Sequence, residues 1–301
     1  TWRTYDVALR LHIDPAIGNI VLARLTAEHV DTMLAASTLE AKGQRNVLGF
    51  LGRVLDVALD RGHVLRNAAR LVEPPRVVRA EPAVLDTAAA RRIMAAVEGD
   101  RLEALWLAAI GTGLRQGELL GLRWTDVDLE AATVTVQHAL IRIPAKRGSD
   151  EVGRYLLDDP KTARSRRFIA LPGFVVRGLR DHRARQLEER IAAGRATEDG
   201  MVFVSPPGHR STQDPEAIGG RPLNGGWVSH RWAKIAEAAG VDVTFHGLRH
   251  SNATILRDRG IPEDVRMARL GHTTTGMARR YAHATEAPDR AAAAALEEAL
   301  G

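Results

Sequence analysis

Apolar positions recur at helical spacing along most of the chain, broken by two short stretches of alternating pattern. Near the start, "TWRTYDVALRLHI" reads as the interior of a helix and "DPAIGN" as a turn. "LTAEHVDTMLA" predicts a short helix that Thr26 can cap through its hydroxyl. The next segment, "STLEAKGQRNVLGFLGRVLDVALDRG", opens with Ser37 and Glu40 at capping-box spacing. Val47, Leu48, Leu51, Val54, Leu55, Ala58 and Leu59 then share one face, with Lys42, Arg45 and Arg53 on the polar side. The helical period lapses in "NAARLVEPPRVVRAEPAVLD", where three prolines predict an extended linker. The pattern divides the chain into a helical domain over residues 1–74, a linker over 75–85 and a larger domain over 86–301.

The larger domain mixes both periods. Asp86 or Thr87 can cap the helix of "AAARRIMAAVEG", and "RLEALWLAAIGTG" is apolar on every side, which predicts a buried helix ending at glycines. "ATVTVQHALIRI", "GRYLLDD…RRFIALP" and the short "MVFVSP" read as strands, with a charged loop near "PKTARS". Helix returns in "GFVVRGLRDHRARQLEERIAAG", and after a Gly/Pro-rich loop the chain is helical to its end. The expected fold is therefore mainly α with a small antiparallel sheet.

Composition narrows the chemistry. The chain has 301 residues and no cysteine, so disulfides, thiolate nucleophiles and cysteine-built zinc sites are excluded, and a reducing compartment fits. No apolar run is long enough to span a membrane. The formal net charge is +5, and clusters such as "KTARSRR" and "RDHRARQ" concentrate it after residue 140, which favours a polyanionic partner, nucleic acid first. The sequence contains no Gly-rich phosphate loop, no HExxH and no internal repeat.

Three clusters carry candidate chemistry. Arg115 follows the buried helix and a Gly-Thr-Gly turn, so its guanidinium needs an anion; Glu118, three residues on, or a ligand could supply it. In "FHGLRHS", His246 and Arg249 stand at i and i+3 at a helix start, with His250 adjacent but pointing elsewhere and no acid in the stretch. In "RLGHTTTGMARRYAHA", Gly271 permits a turn, His272 sits on the connection and Tyr281 follows nine positions later. A phenol is a poor nucleophile unless cations stabilise its anion, which arginines and imidazoles would do.

The ordered set "GLRQGELLGLRW", "PKTARSRRFIALP", "HGLRH", "LGH" and Tyr281 resembles the tyrosine recombinase (phage integrase) family over roughly residues 110 to 283. The segments "LRLHIDPAIGNIVLARLT" and "DRGHVLRNAARLVEPP" are similar to the family's helical core-binding domain, so the likeness covers nearly the whole chain. It implies a helical core-binding domain (1–74), a mixed α/β catalytic domain (86–301) and a C-terminal exchange helix. Position by position, Arg115 and Arg249 would grip the scissile phosphate, and Lys161, rather than Lys146, would protonate the leaving 5′-oxygen. His246 and His272 would bond the phosphate and manage the phenol proton, Tyr281 would attack phosphorus, and Glu118 would orient Arg115. Lys42, Arg45, Arg164 and Arg166 would meet DNA phosphates from the two domains. Two departures from the family pattern stand out: Gly247, where aspartate is common, and Gln116–Gly117 after the first arginine.

The resemblance further implies site-specific DNA recombination by sequential strand exchange through a 3′-phosphotyrosyl intermediate and a Holliday junction, with no metal or other cofactor. The partners would be double-stranded core attachment sites, with a homo-tetramer on synapsed DNA and a monomer or weak dimer when free. The setting would be the prokaryotic cytoplasm and its nucleoid. The chain is expected to be most like a mobile-element integrase lacking its N-terminal arm-binding domain. Alternatives are a type IB topoisomerase-like relaxing enzyme and a non-catalytic DNA-binding accessory protein. For the last segment, "PDRAAAAALEEAL", the apolar stripe needs a groove in its own subunit or the next, and the resemblance favours exchange with a neighbour.

Overall fold

The computed structural model describes residues 2–78, 83–143, 153–158, 167–192, 200–205, 221–271 and 286–301. Two compact units, Thr1–Glu81 and Pro82–Gly301, make up the chain.

The first unit is helical: α1 (Trp2–Ala8), a π-helical stretch (Leu9–Ile13), α2 (Asp14–Ile17), α3 (Ala27–Ala35) and α4 (Ala41–Asp60). The turn expected at "DPAIGN" is instead α2, because Pro15 in a first helical turn gives up an N–H that has no partner there anyway. Thr26 caps α3 as expected, accepting from the His29 N–H at 3.4 Å while His29 Nδ1 accepts from the Thr26 N–H. Ser37 and Glu40 do not form a capping box. The helix begins one residue after Glu40, and the Ser37 hydroxyl accepts from the Leu39 N–H in the preceding turn. Val47, Leu48, Leu51 and Leu55 of α4 are buried in one core with Val30, Met33 and Leu34 of α3, while Val54 and Leu59 are exposed, so the apolar stripe is narrower than its pattern. Tyr5 stacks on Phe50 at 4.6 Å beneath the Arg53 guanidinium, a packing position.

The second unit is built around a wholly buried helix. It contains α5 (Thr87–Val97), α6 (Glu103–Thr112), α7 (Gln116–Leu120), β1 (Val127–Asp128), β2 (Thr133–Val136), β3 (Ala139–Ile143), β4 (Arg154–Asp158) and β5 (Arg167–Ala170). There follow α8 (Gly173–Ala192), α9 (Gly225–Ala238), α10 (Gly247–Asp258), α11 (Glu263–Leu270) and α12 (Glu286–Leu300). Asp86 caps α5 through the Ala89 N–H at 2.7 Å. Residues 104–112 of α6 are buried on all faces. Trp106 there packs on Trp232 and Phe245, each such side chain contributing roughly 1.5–3 kcal/mol of burial.

The expected small sheet is present as two antiparallel pieces, one in the order β1-β2-β5 and the other pairing β3 with β4. "MVFVSP" is not a strand: it makes only isolated bridges, Arg123 to Met201 and Val204 to Pro222. Its apolar residues are buried for packing rather than pairing, Val202 and Phe203 being fully enclosed.

In this single chain α12 is seated on its own second unit. Ala292, Leu296 and Ala299 are buried in the main core, and Asp289 pairs with the fully buried Arg269 of α11 at 2.6 Å. Asp289 also accepts from the Ala170 N–H of β5. No helix among the described residues is long and apolar enough to cross a membrane.

Candidate active site

Five chain segments converge on one cationic cluster: the turn after α6, the start of α7, the first residue of β5, the first turn of α10 and the last carbonyls of α11. Arg115 precedes α7 and is half exposed, its side chain 45% accessible. Its Nη1 donates to Glu118 Oε1 at 2.9 Å and its backbone N–H to Glu118 Oε2 at 2.9 Å. Glu118 is thus the carboxylate partner that sequence spacing offered, but it is not held by Arg115 alone. Arg167 donates to both of its oxygens, at 3.1 and 2.7 Å. Burial opposes ionisation of Glu118, yet the two guanidiniums and the backbone N–H hold its pKa down at about 2.

Arg249 is 3% exposed, and its guanidinium is turned inward. It donates to the Gly113 carbonyl at 2.7 Å and to the Leu270 carbonyl. Burial, with Arg115 and Arg167 nearby, lowers its pKa to about 10, so it stays charged at neutral pH. His246 is an exposed residue at the N-terminus of α10. Its pKa is lowered by desolvation first, then by His250, Arg249 and Arg115, so its neutral imidazole is favoured. His250 does not point elsewhere: its ring meets that of His246 edge-on at 5.2 Å.

The end of α11 organises the cluster. Its last carbonyls, of Arg269, Leu270 and Gly271, accept in succession from Arg167, Arg249 and Arg115. Cations are favoured at this negative end of a helix dipole. Gly271 closes the helix with φ of 67°, and a Cβ there would lie 2.9 Å from Arg167 Nη1. Only glycine therefore fits between the turn and that guanidinium.

The two departures noted in the sequence are accommodated by packing. At Gly247 a Cβ would come within 2.5 Å of the Val243 Cγ2 methyl, so an aspartate could not enter without displacing that side chain. Gln116 bonds the Gly225 carbonyl and the Ser229 hydroxyl, tying α7 to α9.

The structure thus brings together Arg115, Glu118, His246 and Arg249. Lys161, His272, Tyr281, Arg164 and Arg166 lie outside the described residues. Lys42 and Arg45 are exposed on α4 of the first unit. No group of three or more potential metal ligands occurs among the described residues. Arg167 is the site residue that sequence reasoning missed. Its signal was there: it shares a strand face with the buried Ile169, and a charge on an inward face requires a partner.

Comparison with known proteins bears on the same region. The model of the phage integrase family matches residues 83–287. A tyrosine recombinase XerC-like protein of Caldanaerobacter subterraneus subsp. tengcongensis is 32% identical over 248 residues, covering 78% of this chain and 60% of that protein. An integrase of Streptomyces ambofaciens is 32% identical over 278 residues, covering 88% of this chain and 66% of that protein. The chain thus spans less than two thirds of the length of these relatives. Among solved structures, the Tn1549 transposon integrase in complex with a circular intermediate DNA superposes with a TM-score of 0.69 at 20% identity, covering 96% of this chain and 90% of that one. A lambda integrase tetramer bound to a Holliday junction gives 0.61 at 18% identity, covering 90% and 71%. Both show the same fold.

Proposed function

Because the chain belongs to the phage integrase family, we propose that it is a site-specific DNA recombinase that cuts and rejoins DNA through a 3′-phosphotyrosyl intermediate. The observation that carries the reading is a charge surplus among the described residues. Arg115 and Arg167 share the Glu118 carboxylate, Arg249 lies near it bonded to backbone carbonyls, and Arg115 remains half exposed beside a neutral-leaning His246.

In the proposed reaction, the Tyr281 oxygen attacks the scissile phosphorus, its proton passing to an imidazole, His272 or His246. A P–O bond to the 3′ side of the break forms to tyrosine, and the bond to the 5′-oxygen breaks. Lys161 delivers a proton to that leaving oxygen, so atoms and charge balance without a further reactant. Arg115 and Arg249 hold the non-bridging oxygens, where charge builds, each such donor being worth roughly 3–4 kcal/mol of barrier. Their carbonyl partners fix them beforehand, so little reorganisation accompanies the chemistry. The phosphotyrosine retains the energy of the cut bond, and attack by a new 5′-hydroxyl reseals the strand. With fixed side-chain cations in these roles, cleavage is expected to persist in excess EDTA.

Lys42 and Arg45 on α4, with Arg164 and Arg166, would contact duplex phosphates, making affinity fall steeply with salt. Strand exchange would take place in a homo-tetramer on two duplexes, in the cytoplasm, where nucleoid DNA lies. The lambda integrase structures, a dimer on a core site and a tetramer on a Holliday junction, support that assembly by analogy. Passing α12 to a neighbour within it would first require releasing Asp289 from Arg269.

The test is capture. The full chain is incubated with duplexes of randomised core, each nicked on one strand so that the short cleaved fragment diffuses away. SDS-resistant protein–DNA adducts sharing a common recovered sequence are expected; absence of any adduct, with or without EDTA, counts against the reading.

A further inference from the structure

Glu118 lies between two arginines of unequal character. Arg167 grips both carboxylate oxygens, and its Nε donates to the Arg269 carbonyl at 2.9 Å, so the fork is fixed at both ends. The Glu118 and Arg167 side chains are only 12% and 11% exposed, so their attraction is little screened by water. Arg115 has one 2.9 Å side-chain bond to Glu118, a longer 3.3 Å bond to the Gly271 carbonyl and a largely open guanidinium.

Consider the cluster without Arg167. A nearly buried carboxylate would then keep Arg115 as its close cation and would cancel the charge that a phosphate needs. With Arg167 present, the internal ion pair is complete and the charge on Arg115 is surplus. We propose that Arg167 is a positioning residue that neutralises Glu118 and thereby leaves the Arg115 guanidinium available to the scissile phosphate. This rests on the recombinase reading above. Arg167 need not touch DNA. It acts through Glu118.

The dependence on the Glu118 charge separates this role from that of a merely structural ion pair. If Arg167 acts by cancelling the Glu118 charge, its loss matters only while that charge exists. The test compares cleavage rates and DNA affinities of the full-length wild type, R167Q, R167K, E118Q and E118Q/R167Q on the nicked duplex that the wild type captures. R167Q is expected to cleave ~10- to 100-fold more slowly, less than the ~100- to 1,000-fold cost of removing a donor outright because Arg115 is still present, with affinity changed less than threefold. R167K, which keeps the charge, is expected to cleave faster than R167Q. In the E118Q background the same Arg167 change is expected to alter cleavage less than threefold. That last comparison involves no unpaired buried carboxylate, so it can be made even if R167Q fails to fold. An equal fold-loss in both backgrounds, or wild-type cleavage by R167Q, would overturn the proposal. If the wild type itself forms no adduct, the recombinase reading fails instead, and the two failures are distinct.

Discussion

Replacing Glu118 by glutamine removes one negative charge while leaving a side chain that can still accept from the Arg115 N–H. The structure sets the size of the effect. The folded environment lowers the carboxyl from its usual 4.5 to about 2. A tenfold change in acidity corresponds to about 1.4 kcal/mol, so ionised Glu118 stabilises the catalytic unit by about 3 kcal/mol at neutral pH. Because the folded pKa is depressed, this contribution is complete above about 4.5 and is lost as pH falls through about 2. E118Q is therefore expected to be less stable than wild type by about 3 kcal/mol at pH 7, the gap closing between about pH 4.5 and pH 2. Urea unfolding followed by tryptophan fluorescence measures it, because Trp106 and Trp232 are buried in the catalytic unit. Other carboxylates with lowered pKa, Asp100 and Glu189 among them, titrate in both proteins and cancel in the difference. A difference independent of pH down to about 2.5 would refute the reasoning, since it would arise from packing rather than charge.

Arg249→Ala is expected to destabilise the fold as well as abolish cleavage, by roughly 2–4 kcal/mol, because it strands the Gly113 and Leu270 carbonyls; Arg115→Ala should leave the melting temperature nearly unchanged. Thermal melts of the two variants make that comparison. Asp289→Asn leaves the buried Arg269 guanidinium without its counter-charge and should loosen α12, at a cost of about 3–5 kcal/mol, read as faster amide exchange over residues 289–300. Lys161→Ala should slow cleavage of an ordinary phosphodiester but not of a duplex with sulfur at the bridging 5′ position, because a thiolate leaves without a proton. Equal slowing on both substrates would remove Lys161 from the role of acid.

Local patterns were legible in the sequence wherever one segment determined the outcome. The all-apolar α6, the Thr26 and Asp86 caps and the pairing of Arg115 with Glu118 all follow from residues within a few positions of one another. What escaped depends on distant partners. Arg167 meets Glu118 across 49 positions and Arg269 across 102, and no local period encodes that meeting. Nor could spacing tell that Arg249 is turned inward while Arg115 stays half exposed, because burial is decided by α6 and α11 packing over α10. The failed box at Ser37 and Glu40 and the helix in place of a turn at Asp14–Ile17 are errors of another kind, in which one local signal lost to another: the Ser37 hydroxyl took the Leu39 N–H, and Pro15 suited a first helical turn.

The central claim, that one tyrosine becomes joined to DNA, has a direct chemical readout. The three tyrosines fall in separate tryptic peptides, residues 4–10, 155–161 and 281–290. Digesting the captured adduct with nuclease and trypsin, followed by mass spectrometry, should place a 3′-phosphonucleotide on Tyr281 in the peptide 281–290 and leave the other two unmodified. A nucleotide on Tyr5 or Tyr155, or an adduct that Tyr281→Phe still forms, would contradict the account.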